Sequence, residues 1–397
     1  MPFKYNICII GGFGHVGLPL GIAFAEKGYK TCIFDIAKDK FELIKQGRMP
    51  FVEEGSEALL KKNLSTGRLI PSLDPNDISK SENIIITIGT PVNSLWPKLN
   101  VIEETIFRYN KYLRDNQLLI LRSTLFPGTT SRIFELIQKF NKEIDVAFCP
   151  ERIVEGKALK ELTFLPQIIS SPSKRGFIRA KKLFSKLTKD IIEASTLEAE
   201  LGKLFSNAWR YIKFAIANQF YVIANESGLD YSELYQKMNY KYDRNKDLPS
   251  PGFAAGPCLF KDTVQLNFYA GNNFSLGTAA LLINDGLPYY IVSKLKEKYN
   301  LKEKKIGILG MSFKPGVDDP RDSLSYKLVD LLKYVAKSVN VSDPLIPDPS
   351  FVTERTLIKE SDIIIVATPH KEYKNLVIPK NKVIIDIWNF YGKGNKI

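Results

Sequence analysis

The sequence predicts an α/β protein with two doubly wound parallel sheets joined by a long central helix. Two observations predict the sheets. Short runs of Ile, Val and Leu alternate with helical patterns at both ends of the chain, and "SENIIITIGTP" (81–91) closely matches "ESDIIIVATP" (360–369). Apolar runs of this length between helices are typical of buried parallel strands. A third observation, an amphipathic pattern from Leu197 to Asn225, predicts the helix between the sheets.

The apolar runs place the strands in order along the chain. Those near the start are "NICII", "KTCIFD", "NIIITIG", "LLILRS" and "VAFCP", and those near the end are "KIGILG", "VNVSD", "DIIIVAT" and "VIIDIW". We therefore predict three domains, with the two sheets in residues 1–195 and 301–397 and a helical domain in residues 196–300.

The helical domain begins with its longest pattern. On a wheel of about 100° per residue, eight positions share one side: Leu201, Leu204, Phe205, Ala208, Ile212, Ala215, Ile216 and Gln219. All but the last are apolar, so we predict a helix of about seven turns or more that joins two domains or two subunits. The later stretch "NKDLPSPGFAAGP" (245–257) is loop by composition.

Length and composition are those of a globular protein. The chain has 397 residues, of which 44% are hydrophobic and 25% charged, which suits two or three domains. It lacks any run of about 18 uncharged apolar residues, so we expect no membrane span, and its N-terminal apolar run is too short for a signal peptide. The four cysteines and two histidines show no disulfide framework and no metal site, which favours a cytoplasmic protein.

The formal net charge of +13 bears on the partners of the protein. A lysine-rich solvated surface accounts for most of it, and attraction of anionic small molecules is the alternative. Nucleic acid is a third class of partner. Because no Lys/Arg block with interleaved aromatic residues is present, we expect no nucleic-acid binding.

The glycine-rich turn "GGFGHVGLPL" predicts a dinucleotide site. Gly12, Gly14 and Gly17 follow a strand and open a helix, and the next strand ends at Asp35, 21 residues past Gly14. Glycines let backbone N–H groups approach a pyrophosphate, and an acidic residue in this position binds a ribose hydroxyl and repels a 2′-phosphate. The pattern favours a Rossmann-like domain that binds NAD over NADP, although two nearby lysines weaken that preference. FAD and a turn that binds nothing are the alternatives.

The second sheet lacks this fingerprint. Its first strand is followed by "GMSFKPGVDDPRDS", whose glycine spacing does not suit a dinucleotide. Lys314 and Arg321 in this stretch hold a phosphate in one interpretation and face solvent in the other. We expect this sheet to bind a different ligand from the first.

Cys258, in "GPCLFKD" (256–262), lies between a loop and a helix start. The helix N-terminus and Lys261 would both favour the thiolate, which attacks aldehydes, and Asp262 could position or deprotonate water. Inert packing is the alternative for any one cysteine. Cys149 at a strand end is the rival nucleophile, and Cys8 and Cys32, which lie in predicted strands, are expected to be core residues.

Lys203 and Asn207 are four residues apart on the long helix and share a stripe with Arg210. The stripe is a solvated face or, where a second domain covers it, a site where the lysine and the amide stabilise an oxyanion. NAD together with a thiol predicts oxidation of an alcohol to an acid. Two hydrides leave, a thiohemiacetal and then a thioester form on sulfur, and water releases the acid.

Taken together, the motifs resemble the UDP-glucose/GDP-mannose dehydrogenase family, the nucleotide-sugar 6-dehydrogenases. The resemblance covers nearly the whole chain and rests on "GGFGHVGLPL", "IGTPVN", "RSTLFPGTT", "CPERIVEG", "ELGKLFSNAWR", "GPCLFKD" and "FKPGVDDPRDS", in that order. It implies NAD-dependent oxidation of the C6 alcohol of a UDP-sugar, twice, to the uronate, for a polysaccharide such as capsule or lipopolysaccharide.

The resemblance also implies roles for single residues. Catalysis would fall to Cys258 as nucleophile, Lys203 and Asn207 at the oxyanion and water, Asp262 in proton transfer, Glu151 in acid/base work and Thr124 in ordering water. NAD would be bound by Gly12, Gly14, His15, Val16, Gly17, Asp35, Lys40, Thr90, Thr124, Glu155 and Arg321, the last at the boundary with the substrate. The UDP-sugar would be bound by Glu151, Arg152, Lys203, Asn207, Arg210, Arg244, Pro251, Gly252, Phe253, Gly256 and Lys314.

Two further implications concern assembly and substrate. Arg244 matches an arginine that the family supplies across a dimer interface, and the long helix matches the dimer spine, so we expect a homodimer. "ERIVEGKALKEL" is similar to the branch acting on UDP-N-acetylhexosamines such as UDP-GlcNAc and UDP-ManNAc, whereas "CLFKD" resembles the UDP-glucose branch. Gly256-Pro257 stands where the family often has Gly-Gly-Ser or Gly-Gly-His. We favour the N-acetylhexosamine branch, with UDP-glucose 6-dehydrogenase as the alternative.

Two other classes of protein account for part of the pattern. A single-step β-hydroxyacid dehydrogenase of related build needs neither the thiol nor the second sheet. A non-catalytic regulator that binds NAD or a nucleotide sugar needs no thiol chemistry.

Overall fold

The computed structural model describes residues 2–93, 96–254 and 256–397. The chain divides into two compact units, Met1–Ser206 (the first unit) and Asn207–Ile397 (the second unit). The boundary between them falls inside a helix, so the division into three domains stays a prediction.

The first unit is built on a six-stranded sheet. The strands of this unit, within the described residues, are β1 (Tyr5–Ile10), β2 (Thr31–Phe34), β3 (Leu69–Ser72), β4 (Ser81–Ile86), β5 (Val92–Asn93), β6 (Trp96–Pro97), β7 (Leu118–Leu121), β8 (Asp145–Phe148), β9 (Gln167–Ile169) and β10 (Ile191–Glu193). Six of them pair in parallel in the order β3-β2-β1-β4-β7-β8, while β5 pairs with β6 and β9 with β10. The strand order reverses between β1 and β4, which is where doubly wound sheets bind ligands.

Both faces of this sheet are buried. In β1, Ile7 and Ile9 belong to one core cluster, whereas Cys8 and Ile10 belong to another. Alternate residues of a strand lie on opposite faces, so the unbroken apolar run "NICII" suits a strand covered on both sides. The expectation that Cys8 and Cys32 are core residues is confirmed, because both are fully buried and lie side by side in register.

Helices cover the sheet between successive strands. They are α1 (Gly17–Glu26), α2 (Lys38–Lys45), α3 (Ser56–Ser65), α4 (Asn76–Ser79), α5 (Val101–Tyr109), α6 (Thr129–Lys139), α7 (Ala158–Phe164) and α8 (Lys174–Phe184), with a 3₁₀ turn at Asn110–Tyr112. Glu200 fixes the start of α6 by accepting the N–H groups of Gly128 (2.5 Å) and Thr130 (2.7 Å). A carboxylate at this place satisfies backbone donors that have no partner within the helix.

A single helix, α9 (Thr196–Glu226), begins in the first unit and ends in the second. Its 31 residues span about 46 Å, so the predicted long helix is confirmed. The predicted apolar side is only partly right: Leu204 and Ala215 are buried, but Phe205 and Ile216 are 54% and 39% exposed. On the opposite stripe Asn207 is buried. A helical wheel detects periodicity but not which sides other elements cover.

The second unit contains a four-stranded parallel sheet. Its strands are β11 (Lys305–Leu309), β12 (Ser338–Ser342), β13 (Ile363–Val366) and β14 (Val383–Ile385), in the order β12-β11-β13-β14. Its helices are α10 (Tyr231–Asn239), α11 (Leu259–Ala270), α12 (Ser275–Lys298), α13 (Leu324–Val335) and α14 (Glu354–Glu360), with 3₁₀ turns at Asp243–Asn245, Gly271–Asn273, Leu301–Glu303 and Lys371–Asn375. The predicted fold class, α/β with two parallel sheets and a long central helix, is confirmed.

The two sheets have a similar strand motif, and they also stabilise the loop after their first strand in the same way. In the first unit Asp35 follows β2, and its Oδ2 accepts the N–H of Phe13 in the β1–α1 loop at 3.1 Å. In the second unit Asp343 follows β12, and its Oδ2 accepts the N–H of Met311 after β11 at 2.7 Å. A carboxylate after the second strand therefore holds the turn after the first strand in both units.

Within the described residues, no helix combines the length and the apolar character that a bilayer crossing requires.

Candidate active site

The β1–α1 loop packs as closely as a dinucleotide-binding loop must. A Cβ atom on Gly17 would lie 2.3 Å from the carbonyl oxygen of Gly11, and one on Gly12 would lie 2.7 Å from the Cβ of Ile33. Only glycine fits at these two positions. With Val16 as the N-cap residue of α1, the positive end of this helix is brought to the carboxyl end of β1.

A cavity of about 400 Å³ opens beside this loop, where the strand order of the first sheet reverses. Asp35 lies in its lining and is fixed by the N–H groups of Phe13 (3.1 Å) and Ile36 (2.7 Å). The cavity, the glycine turn and the carboxylate fit NAD, and the bond from a ribose hydroxyl to Asp35 stays a prediction. The lining residues are Ile10, Gly11, Gly14, Phe34, Asp35, Ile36, Thr87, Ile88, Gly89, Val101, Glu104, Thr105, Arg108 and Tyr109.

Four further predicted NAD contacts form two pairs in the first unit. His15 Nδ1 lies 2.9 Å from Glu155 Oε1. The Thr90 hydroxyl donates to the carbonyl of Thr124 at 2.9 Å, which ties the loop after β4 to the loop after β7. Lys40 is half-buried on α2. Their contacts with the cofactor stay predictions.

Substituting Asp35 with serine is expected to raise the Kd for NAD about tenfold, because a charge-assisted hydrogen bond to the ribose is lost. The preference for NAD over NADP is expected to narrow by a similar factor, since the carboxylate no longer repels a 2′-phosphate. Titration of both dinucleotides measures this. Asp39→Ser, which removes the same charge from an exposed position in the first turn of α2, is the matched control. An unchanged NAD/NADP ratio in Asp35→Ser would contradict the assignment.

Glu151 is held by a buried arginine that the sequence analysis did not single out. Arg122 is 2% exposed, and its Nε donates to Glu151 Oε2 at 2.6 Å while its Nη1 donates to the carbonyl of Cys149 at 3.2 Å. Glu151 Oε1 accepts the N–H of Arg152 at 2.7 Å. An arginine directly after the apolar run "LLIL" was the available signal. The acid/base role of Glu151 stays a prediction.

The four cysteines differ sharply in exposure. Cys149, the rival nucleophile, is fully buried, and burial raises the pKa of its thiol to about 12, so it is a poor source of thiolate at neutral pH. Cys8 and Cys32 are also buried, whereas Cys258 is exposed. Exposure therefore singles out Cys258 as the nucleophile candidate.

Cys258 is the N-cap residue of α11, and a buried carboxylate lies one turn further along that helix. Asp262 has no exposed surface. Its Oδ2 accepts from Asn207 Nδ2 at 2.5 Å, and its Oδ1 accepts from Lys261 Nζ at 2.6 Å. Lys261 is 13% exposed. Burying a carboxylate this deeply is costly unless a charged partner and hydrogen bonds of this kind compensate for the lost water.

The predicted sugar-binding loop, residues 251–256, packs against the loop after β11. Ala255 in this stretch lies outside the described residues. Phe253 is 4% exposed within the core of the second unit, and its contact with the sugar stays a prediction. A Cβ on Gly256 would lie 2.3 Å from the ring of Phe313, and its φ of +101° favours glycine.

The other predicted substrate and cofactor contacts differ in exposure. Arg321 is exposed and its Nε donates to both carboxylate oxygens of Asp319, at 2.9 and 2.8 Å. Its contact with NAD stays a prediction. Pro251 and Gly252 are buried, Lys203 and Lys314 are half-buried, and Arg152, Arg210 and Arg244 are exposed.

The loop that carries Lys314 is organised by His370, which is fully buried. His370 Nδ1 accepts the N–H of Gly316 at 3.3 Å, which assigns the proton of the neutral ring to Nε2. Nε2 lies 2.9 Å from Ser312 Oγ and 3.2 Å from Asp343 Oδ2. The imidazole therefore joins both ends of the loop to the carboxylate after β12.

Asp343 makes stability depend on pH in the acid range. Burial acts to raise the pKa of its carboxyl, but the hydrogen bonds from His370 and the Met311 N–H outweigh it and lower the pKa from 3.8 to about 2. A lowered carboxyl pKa stabilises the folded state above the unfolded value, and this contribution is lost as the pH falls through the folded value. Asp343→Asn is expected to have a lower free energy of unfolding than the parent. This difference should shrink as the pH falls from about 4 to about 2. Urea unfolding across that range measures it, and a constant difference would contradict the expectation.

The first unit has the features of an NAD-binding dehydrogenase. These are the glycine turn, the cavity beside it and the carboxylate of Asp35 after β2. The chain belongs to the UDP-glucose/GDP-mannose dehydrogenase family. The NAD binding domain of that family matches residues 5–188, its central domain matches residues 197–285, and its UDP binding domain matches residues 307–393. The resemblance inferred from the motifs is confirmed, and the protein is an NAD-dependent oxidoreductase of nucleotide sugars.

Known relatives are similar over nearly the whole chain. The UDP-N-acetyl-D-mannosamine dehydrogenase of Pyrococcus horikoshii is 31% identical, covering 94% of this chain and 93% of the relative. The NDP-N-acetyl-D-galactosaminuronic acid dehydrogenase of Ralstonia nicotianae is 26% identical to this chain, and the match covers 94% of this chain and 94% of the relative. The solved structure of a UDP-D-ManNAc dehydrogenase from Pyrococcus horikoshii has a TM-score of 0.88 at 29% identity, covering 97% of this chain and 96% of that one.

Proposed function

We propose that this chain oxidises the C6 alcohol of a UDP-sugar to the uronic acid in two NAD-linked steps, with Cys258 as the covalent nucleophile. One observation carries the proposal. The exposed thiol of Cys258 caps α11, and the fully buried carboxylate of Asp262 lies one turn further along the same helix. A thiol at a helix N-terminus is suited to form a thiolate, and a fixed carboxylate nearby is suited to move a proton.

The chemistry divides between the cofactor and the thiol. NAD supplies the hydride acceptor for both oxidations. Once the alcohol has become an aldehyde, the Cys258 thiolate adds to the aldehyde carbon and forms a thiohemiacetal. Loss of a second hydride from that carbon leaves a thioester on the sulfur. Water then cleaves the thioester, which releases the carboxylate and restores the thiol.

The residues around Asp262 have distinct tasks in this scheme. Lys261 and Asn207 hold the Asp262 carboxylate, which accepts a proton from the water that attacks the thioester. An amide carries two N–H donors, so Asn207 can bind Asp262 and also donate to the oxyanion. Lys203, one turn before Asn207 on α9, is the second oxyanion donor in the proposal.

The second sheet takes the UDP part of the substrate. The match to a UDP binding domain over residues 307–393 supports this assignment. Lys314 supplies a cation in the loop after β11, and His370 and Asp343 keep that loop in shape. A half-buried lysine in a loop of fixed shape suits a diphosphate.

For the sugar, we favour an N-acetylhexosamine. Relatives named as UDP-N-acetyl-D-mannosamine dehydrogenases reach 31% identity, and they support this choice together with "ERIVEGKALKEL". Parallel kcat/KM measurements with UDP-GlcNAc, UDP-ManNAc, UDP-GalNAc and UDP-glucose test it. An N-acetylated sugar is expected to give the highest value. A highest value for UDP-glucose would instead support the UDP-glucose 6-dehydrogenase.

A homodimer is part of the proposal. Trp209, Ile216, Phe220 and Ile223 form a stripe along α9, and each is between 39% and 54% exposed. A contiguous apolar stripe of this kind marks a contact surface between proteins. Arg244 is exposed and lies on the same unit, so it is accessible to a second copy of the chain.

The competing classes predict other outcomes. A single-step β-hydroxyacid dehydrogenase would release about one NADH per substrate, and a regulator would release none. The exposed thiol at a helix start supports the two-step enzyme over both.

A further inference from the structure

The loop that leads to Cys258 is held by a buried asparagine of α9. Asn218 has no exposed surface. Its Oδ1 accepts the N–H of Gly252 at 2.8 Å, and its Nδ2 donates to the carbonyl of Gly252 at 3.0 Å. The side-chain amide thus pairs with both polar groups of a single residue, as a neighbouring strand would.

A second buried asparagine fixes the orientation of the first. Asn284 on α12 has no exposed surface, and its Oδ1 accepts the other N–H of Asn218 at 2.8 Å. Its own Nδ2 donates to the carbonyl of Tyr211 at 3.0 Å. Two buried amides would be costly in an apolar interior without these bonds. Here both N–H groups of Asn218 are used, so its amide cannot turn without breaking a bond.

Gly252 is enclosed on its other side by an aromatic ring. A Cβ on Gly252 would lie 2.3 Å from the ring of Trp388. The indole N–H of Trp388 donates to the carbonyl of Ala367 at 3.0 Å, which fixes the ring. The backbone at Gly252 is therefore clamped between Asn218 and Trp388.

Helix α9 also contacts Asp262, which follows Cys258 in the chain. Asn207 donates to Asp262, and Asn218 lies eleven residues further along α9. Eleven residues make about three turns and about 16 Å, so both asparagines lie on the same side of the helix. One rigid element therefore fixes Gly252 and Asp262, the two points between which Cys258 lies.

We propose that Asn218, oriented by Asn284, is a positioning residue that sets where the sugar-binding loop presents the substrate to Cys258. Its role follows from the clamp on Gly252, and Asn218 itself acts through that backbone rather than by touching the sugar. The proposal rests on the proposed function, because it assigns residues 251–256 to the sugar.

The test compares Asn218→Ala and Asn284→Ala with Asn225→Ala in the full chain. Asn225 is a matched control, because it lies on the same helix and its Oδ1 accepts a backbone N–H, that of Ile397, at 2.9 Å. For Asn218→Ala we expect the KM for the UDP-sugar to rise about tenfold, with the KM for NAD within about twofold of the parent. Asn284→Ala is expected to change the same constant in the same direction by a smaller factor. The control is expected to alter neither constant.

Amide hydrogen exchange gives a readout that does not depend on turnover. Exchange in residues 250–257 is expected to accelerate about tenfold in Asn218→Ala and Asn284→Ala, and to stay unchanged in Asn225→Ala. Should Asn218→Ala fail to fold, Asn284→Ala decides the question by both readouts. A folded Asn284→Ala with parental exchange and parental KM would overturn the proposal. A parent enzyme that turns over no UDP-sugar would instead overturn the proposed function, and exchange would still decide whether Asn218 holds the loop.

Discussion

Replacement of Cys258 by alanine is expected to lower uronate formation by about 10³-fold or more. In the proposed mechanism the second oxidation takes place on this thiol, so its loss would leave no thiohemiacetal to oxidise. Because Cys258 is exposed at the start of α11, the free energy of unfolding should change by less than about 1 kcal/mol. Product analysis by chromatography and urea unfolding measure the two effects separately.

Two variants make this result specific to the sulfur of Cys258. Cys258→Ser keeps the side-chain size but offers a hydroxyl that is far less nucleophilic, so uronate formation should fall as in the alanine variant. Cys149→Ala removes a buried thiol whose pKa is about 12, and should keep turnover. Parental uronate formation by Cys258→Ala would show that the chemistry does not pass through this sulfur.

Replacement of Asp262 by asparagine is expected to affect both activity and stability. Lys261 loses the carboxylate that lies 2.6 Å from its Nζ, and removing one member of a largely buried ion pair costs about 3 kcal/mol. In the proposed mechanism Asp262 accepts a proton from the attacking water, so its replacement should lower kcat by about 10²-fold. Calorimetry and steady-state kinetics measure the two effects.

The matched control for this variant is a more exposed pair in the same unit. Asp285 and Lys327 form an ion pair in which the side chains are 44% and 33% exposed. Because surface pairs contribute little, Asp285→Asn should cost less than about 1 kcal/mol and leave kcat unchanged. If Asp262→Asn lowers the free energy of unfolding no more than Asp285→Asn does, the buried Asp262–Lys261 pair does not contribute the expected stability.

Local patterns accounted for much of the fold. Runs such as "NICII" and "DIIIVAT" predicted strands because a strand buried on both faces needs unbroken apolar sequence. The glycine spacing predicted the β1–α1 loop because Cβ atoms at Gly12 and Gly17 would collide with the backbone and with Ile33. The position of Cys258 before a helix was also readable, since turn residues precede it and a helical pattern follows.

Features that depend on distant contacts were not predicted. Asn218 is one polar residue within a helical pattern, and its partner Gly252 is 34 residues away, so no local signal assigns it to the sugar-binding loop. Arg122 is likewise explained by distant partners, Glu151 at 29 residues and Cys149 at 27 residues along the chain. The strand β3 has a proline among four residues, and that composition argues against a strand.

The helix α9 shows the same division between local and distant information. Its length followed from its periodicity, but its buried faces did not. Asn207 is buried, and its amide donates a hydrogen bond to Asp262. By contrast, Phe205 on the predicted apolar side is 54% exposed. Which side of a long helix is covered depends on elements that the helix sequence does not describe.

In the proposed mechanism, one thiol takes a single carbon through two oxidations. The number of NADH molecules released per UDP-sugar consumed distinguishes this mechanism from a single oxidation, and absorbance with limiting sugar and excess NAD measures it. We expect about two NADH per sugar, with uronate as the only sugar product. A yield of about one, with an aldehyde or another singly oxidised sugar as product, would contradict it.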